Sequence, residues 1–196
     1  MVGSSPYNKI PLNGLASKVS FQNVVASGTL GHRIDLNAIM KSFPNVEYNP
    51  KKFPGLVFRL RRPKTTTLIF NSGKMICTGA KSENLARSAI RRVVRLLREN
   101  GIVLLSEVQI EVVNIVATID LGAGVDLELA EFTLDNVMYE PEQFPGLIYR
   151  MQEPKVVFLI FASGKLVCTG GRSEASVSEA VEKIGKMLVE MNLLMK

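Results

Sequence analysis

The sequence predicts an α+β fold of two tandem, pseudo-symmetric repeats, whose antiparallel strands share one sheet with helices on one side. Three observations predict it. Phe53-Pro-Gly-Leu56 recurs as Phe144-Pro-Gly-Leu147, an offset of 91 residues. Each copy strings together short strand patterns joined by turn signals. Each copy then closes on a long helix pattern with one apolar face.

The offset holds without a gap. Asn23 falls on Asn114, Tyr48 on Tyr139 and Arg59 on Arg150. Leu68-Ile-Phe70 falls on Leu159-Ile-Phe161, Ser72-Gly-Lys74 on Ser163-Gly-Lys165, and Cys77-Thr-Gly79 on Cys168-Thr-Gly170. The period is too long for a solenoid unit and two copies are too few for an array. The organisation is a Gly/Ser/Pro-bearing flexible tail over 1–17, a first repeat over 18–108 and a second over 109–196.

Within the first repeat, Val19–Ser27 reads as a strand. Asp35–Ser42 reads as a short helix with Asp35 near its start. Val46–Tyr48 reads as a short strand closed by Asn49-Pro50, and Phe53-Pro-Gly is a turn signal. Leu56–Arg61 and Thr65–Phe70 are strands separated by Arg62-Pro63. Asn71-Ser-Gly73 reads as a hairpin turn into a strand over Lys74–Thr78, which Gly79 ends. Ser82 with Glu83 opens a long helix, and Asn100-Gly101 stops it. Ala86, Ala89, Ile90, Val93 and Leu97 line its apolar face, while Arg87, Arg91, Arg95 and Arg98 line another. That arginine stripe suits a solvated face as well as a docking surface. The second repeat follows the same order and ends on a helix from about Ser173 to Met191, with Val177, Ala180, Val181 and Ile184 facing inward.

A chain of 196 residues with 46% hydrophobic content can bury a sizeable core. No apolar run is long enough to span a bilayer and no signal peptide opens the chain, so a soluble intracellular protein is expected. Cys77 and Cys168 hold equivalent places and read as small buried residues, with neither a disulfide nor a thiolate metal site. The net charge is +6, but it is unevenly held. Residues 23–110 carry 15 Lys/Arg against 5 Asp/Glu, and residues 114–196 carry 7 against 12. The copies share a pattern and differ in charge.

Strand alternation leaves one sheet face without a cover. The helices' outer sides are charged, so they can cover only one face. The other carries Val25, Leu68, Phe70 and Ile76, with Val116, Leu159, Phe161 and Val167 as counterparts. Such a patch is too large to be incidental on a monomer. Asn23, Asn114, Thr78 and Thr169 lie among these residues, with Arg59, Lys74, Arg150 and Lys165 near the margins. This arrangement suits a DNA minor groove at A·T steps, which present only acceptors and lack the exocyclic amino group of guanine. Lysine and arginine at the rim can meet phosphates.

An alternative class is a protein-interaction or dimerisation module that buries the same face without DNA. Self-association, including a homodimer free of DNA, is compatible with both classes. Catalysis is not expected. There is one histidine, no Cys/His cluster, no Gly-rich phosphate loop and no cofactor motif. His32 reads as a surface loop residue. The mirrored Asp35 and Asp126 read as helix caps.

Taken together, these motifs resemble the TATA-box-binding proteins, in the compact form typical of archaea. The resemblance covers roughly residues 19–192. It implies a saddle with a curved sheet beneath and helices on top. It implies that Phe53 with Phe70, and Phe144 with Phe161, are paired wedges that kink promoter DNA, with Pro54 and Pro145 bracing their loops. Asn23, Asn114, Thr78 and Thr169 would donate hydrogen bonds near the centre of the site. Val25, Val116, Leu68, Leu159, Ile76 and Val167 would pack on base edges. Arg59, Arg150, Lys74, Lys165, Ser72 and Ser163 would contact phosphates. The turn carrying Glu140 and Glu142 resembles the surface that binds transcription factor B, and RNA polymerase would follow through the initiation complex. The first copy has Asn49-Pro-Lys-Lys52 where the second has Glu140-Pro-Glu-Gln143.

Overall fold

The computed structural model describes residues 18–195, so the tail expected over 1–17 lies outside the described residues. Two compact units emerge, one of residues 22–114 and one of 18–21 with 115–195.

The first unit follows the chain order closely. It contains β1 (Ser20–Thr29), α1 (Leu36–Ser42), β2 (Leu56–Leu60), β3 (Thr65–Ile69), β4 (Lys74–Ala80) and α2 (Glu83–Glu99). Its strands lie in the order β2-β3-β4-β1, antiparallel throughout. Asp35 caps α1, its carboxylate accepting from the Asn37 and Ala38 amides at 2.9 and 3.2 Å. Ser82 caps α2 by accepting from Leu85 N–H at 3.2 Å. Gly101, at φ +79, stands just past the helix end. α2 lays Ala86, Ala89, Ile90, Val93, Val94 and Leu97 against the sheet, all fully or nearly fully buried.

Two expectations need correction. The strand expected over Val46–Tyr48 is reduced to one bridge, in which Glu47 pairs with Val57. Gly79 does not end its strand; β4 runs on to Ala80 through a bulge. Val24 faces Ala80 and Ala26 faces Cys77, so Thr78 and Gly79 together oppose Val25. Gly79 sits at φ +93, a left-handed conformation that glycine adopts without the Cβ penalty.

The second unit contains most of β5 (Gln109–Asp120), then β6 (Gly124–Val125), α3 (Leu127–Thr133), β7 (Val137–Met138), β8 (Gly146–Met151), β9 (Val156–Phe161), β10 (Lys165–Gly171), α4 (Glu174–Glu190) and β11 (Leu194–Met195). Its main strands run in the order β5-β10-β9-β8-β7, and β11 pairs with β6. Asp126 caps α3 at Leu129 N–H, 2.9 Å away. Ser173 and Ser176 form a reciprocal capping box on α4. The bulge recurs at Gly170, φ +94, between the Thr169–Val116 and Gly171–Ile115 pairs. No helix among the described residues is long and apolar enough to cross a membrane.

Candidate nucleic-acid interface

In each unit the strand period sorts side chains cleanly. Val24, Ala26, Ile69 and Cys77 point to the helix side and are fully buried. Their neighbours Asn23, Val25, Leu68, Phe70, Ile76 and Thr78 are half-exposed on the opposite face. Register brings them side by side: Val57 faces Leu68, Leu68 faces Ile76, and Thr66 faces Thr78. The second unit repeats the arrangement. Ile148 faces Leu159, Leu159 faces Val167, Val157 faces Thr169, and Thr169 faces Val116. Val57, Thr66, Ile148 and Val157 belong to these faces although no motif singled them out. Counting by twos from Arg59, Leu68, Arg150 and Leu159 reaches them.

An aromatic pair stands at the end of each face. The Phe53 and Phe70 rings meet edge to face, with centroids 6.0 Å apart and planes at 68°. Phe144 and Phe161 do the same at 5.9 Å and 66°. The glycine of each Phe-Pro-Gly motif makes room for them. A Cβ on Gly55 would lie 2.6 Å from Phe53 Cε1 and 3.0 Å from Phe70 Cε1. On Gly146 the distances would be 2.7 and 3.0 Å from Phe144 and Phe161. Phe53 and Phe144 are exposed, 41% and 36%, which is costly for core aromatics and apt for insertion into a ligand. Pro54 and Pro145 are exposed beside them.

The bulge serves the polar centre of the first face. It turns the Gly79 N–H to Asn23 Oδ1, 2.8 Å away, and Thr78 Oγ1 lies 3.2 Å from the same oxygen. An N–H can only donate, so the amide orientation is fixed with its NH₂ group turned from these partners. The side chain is thereby prepared to donate.

Basic groups border both faces. Lys74, Ser72, Lys165, Ser163 and Arg150 are exposed. Arg59 is exposed too, but its guanidinium is paired with Glu47. A cleft of about 850 Å³ beside Asn23 and Thr78 adds Arg61, Lys64 and Lys81 to the border. Lys81 is anchored through Nζ to Gln22 O at 2.7 Å.

The two Phe-bearing turns share a backbone and differ in charge. Lys52 and Phe53 N–H both donate to Asn49 O at 3.0 Å. Gln143 and Phe144 N–H both donate to Glu140 O at 2.9 Å. Glu140 and Glu142 are exposed, as are Lys51 and Lys52.

His32 lies in the loop after β1, as expected, and is half-exposed. Its Nε2 accepts from Leu105 N–H at 3.3 Å and its Nδ1 faces Leu30 O at 3.0 Å, tying the loop after β1 to the segment before β5. The α2 arginines divide: Arg87 donates to Ile110 O at 2.8 Å and Arg98 to Ser106 O at 3.1 Å, while Arg91 and Arg95 face solvent. Both cysteines are free and buried. Burial pushes the Cys168 thiol up to about 12 and raises Cys77 as well, so neither is a thiolate at neutral pH. Thr67 faces Cys77 in the register, and its buried hydroxyl has the Cys77 thiol as its neighbour, an interaction that lowers the thiol's pKa against the larger effect of burial. Among the described residues no cluster of His, Cys, Asp and Glu could hold a metal ion.

Known proteins resemble this chain along most of its length. The family described as "Transcription factor TFIID (or TATA-binding protein, TBP)" matches it twice, over residues 18–100 and 109–191. The TATA-box-binding protein of Sulfolobus acidocaldarius is 52% identical over 174 residues, covering 89% of this chain and 88% of that protein. That of Pyrobaculum calidifontis is 50% identical over 173 residues, covering 88% and 87%. The solved structure of Methanococcus jannaschii TBP superposes with a TM-score of 0.80 at 45% identity, covering 88% of this chain and 99% of that one.

Proposed function

The chain belongs to the TATA-binding protein family, and on that premise we propose how its residues divide the work of a general transcription factor that binds TATA promoter DNA. The family consists of DNA-binding transcription factors and is not an enzyme class.

The half-exposed face of each unit takes the minor groove of an A·T-rich duplex. The observation that carries this reading is the amide of Asn23. Its oxygen is held by Gly79 and Thr78, so it offers N–H donors to a groove floor made of acceptors. Val25, Val57, Leu68 and Ile76, with Val116, Ile148, Leu159 and Val167, pack on base edges where guanine's amino group would clash. The ring pairs Phe53/Phe70 and Phe144/Phe161 wedge into base steps and bend the duplex toward the major groove, the behaviour for which this family is known. Arg59, Arg150, Lys74 and Lys165 with Ser72 and Ser163 meet phosphates, which carry affinity but no sequence information. Transcription factor B docks on the acidic turn at Glu140 and Glu142, and RNA polymerase enters through the resulting complex.

A gel-shift and bending assay tests the reading. An A·T-rich duplex should be retained and bent, and a G·C-rich duplex of equal length should not. Equal retention of both without bending would overturn it.

A further inference from the structure

Arg59 and Arg150 hold the same place in the repeat, yet among the described residues only Arg59 is paired with a carboxylate. Glu47 N–H donates to Val57 O at 3.1 Å, and Val57 N–H donates back to Glu47 O at 2.8 Å. This bridge locks Glu47 opposite Val57, on the same side of the sheet as Arg59 two residues on. The Glu47 carboxylate closes on the Arg59 guanidinium. In the second repeat the equivalent backbone pairing is kept, with Met138 facing Ile148 in β7 and β8. The side chain at that place is therefore Met, and Arg150 has no carboxylate partner among the described residues. Two copies with one backbone thus differ by a single carboxylate next to the cation that would meet a phosphate.

We propose that Glu47 is a positioning residue that holds Arg59 back from DNA phosphate, so that the second half of the interface grips the backbone more strongly than the first. The inference rests on the reading that DNA lies on the open faces. For Arg59 to bind a phosphate it must leave Glu47, or bind with a carboxylate still close by. Arg150 meets no such competition. The bias distinguishes the two half-sites, because among the described residues the first repeat carries it and the second does not. Both Arg59 and Glu47 are well exposed, with side-chain exposures of 52% and 68%, so the pair is weak enough to be exchanged and strong enough to compete.

The test exchanges the side chains at the two equivalent positions. Glu47→Met copies the second repeat onto the first, and the second repeat shows that this backbone accepts Met. Binding to an A·T-rich duplex should tighten by roughly threefold to fivefold at moderate salt, and the slope of log K against log salt should steepen by up to about 0.9, one added phosphate contact. Met138→Glu should do the opposite, weakening binding and flattening the slope. In an Arg59→Ala background the effect of Glu47→Met should vanish. Unchanged affinity and slope in Glu47→Met, or a gain that persists without Arg59, would overturn the proposal. Failure of the parent protein to prefer the A·T duplex would instead overturn the reading beneath it. An orientation readout adds a check: a cleavage reagent tethered to the second repeat should shift its cut distribution between the two ends of a near-symmetric site in Glu47→Met/Met138→Glu.

Discussion

The backbone N–H of Gly79 donates to Asn23 Oδ1 across 2.8 Å, and this one contact decides which end of the Asn23 amide faces outward. Asn23→Asp keeps the acceptor that Gly79 and Thr78 use and removes the NH₂ group. It should therefore unfold near the parent temperature while losing A·T-duplex affinity about tenfold or more, since a donor is lost and an anion faces acceptors. Thermal unfolding and gel shift measured on the same sample separate the two effects. A variant that binds as tightly as the parent would remove Asn23 from the interface.

Phe158 and Phe161 lie three residues apart on β9 and should respond in opposite ways. Phe158 is fully buried, so Phe158→Ala should cost about 3–5 kcal/mol of stability. Phe161 is half-exposed against Phe144, so Phe161→Ala should cost much less and instead abolish bending. Chemical denaturation and a circular-permutation bending assay report the two outcomes.

Gly146→Ala places a methyl 2.7 Å from Phe144 Cε1, so the ring pair must part. Phe144 is exposed and can yield, which should hold the stability loss to about 1 kcal/mol. The bend angle in the DNA complex should fall nonetheless. An unaltered bend would mean that the edge-to-face geometry is not what the DNA meets.

Thr67 presents the reverse case, a polar atom buried beside a weakly bonding sulfur. Thr67→Val removes a buried hydroxyl whose neighbour is the weakly bonding Cys77 thiol and keeps the shape, and should leave stability unchanged or raise it by about 1 kcal/mol. A clear drop in melting temperature would show that the hydroxyl contributes, with the Cys77 sulfur it faces as the candidate partner.

Glu142→Lys restores on the second turn the charge that Lys51 gives the first. Because Glu142 is exposed and the turn is held by backbone bonds to Glu140 O, the fold should not change. Recruitment of transcription factor B to the DNA complex should weaken severalfold while binary DNA binding stays intact or improves. Ternary-complex assembly at full strength would exclude this turn as the docking surface.

Local patterns made much of this molecule legible. The alternation in Asn23-Val24-Val25-Ala26 already separates a half-exposed face from a buried one, and Ser82, Asp35 and Asp126 announce the helices they cap. What escaped depends on partners distant in sequence. Gly79 reads as a strand end because a glycine inside a strand and a glycine after it look alike, and only the pairing with β1 reveals the bulge. His32 reads as a loop residue, as it is, but its contacts, Leu105 and Ser106, stand 73 and 74 residues away and leave no local signal. The Glu47–Arg59 pair spans 12 residues across a turn whose path the pattern leaves undefined. Val57 and Thr66 were within reach of simple counting and carry no motif of their own.

The recurrence of one backbone turn in two charge states, Lys51-Lys52 and Glu142-Gln143, bears on how such a molecule can change over generations. In a homodimer encoded by a single gene, every substitution lands twice, and a gain on one side is charged to the other. Here the halves are joined in tandem, so each position exists in two independently mutable versions on one scaffold. A lineage can adjust one end of its promoter complex while the other stays as it was.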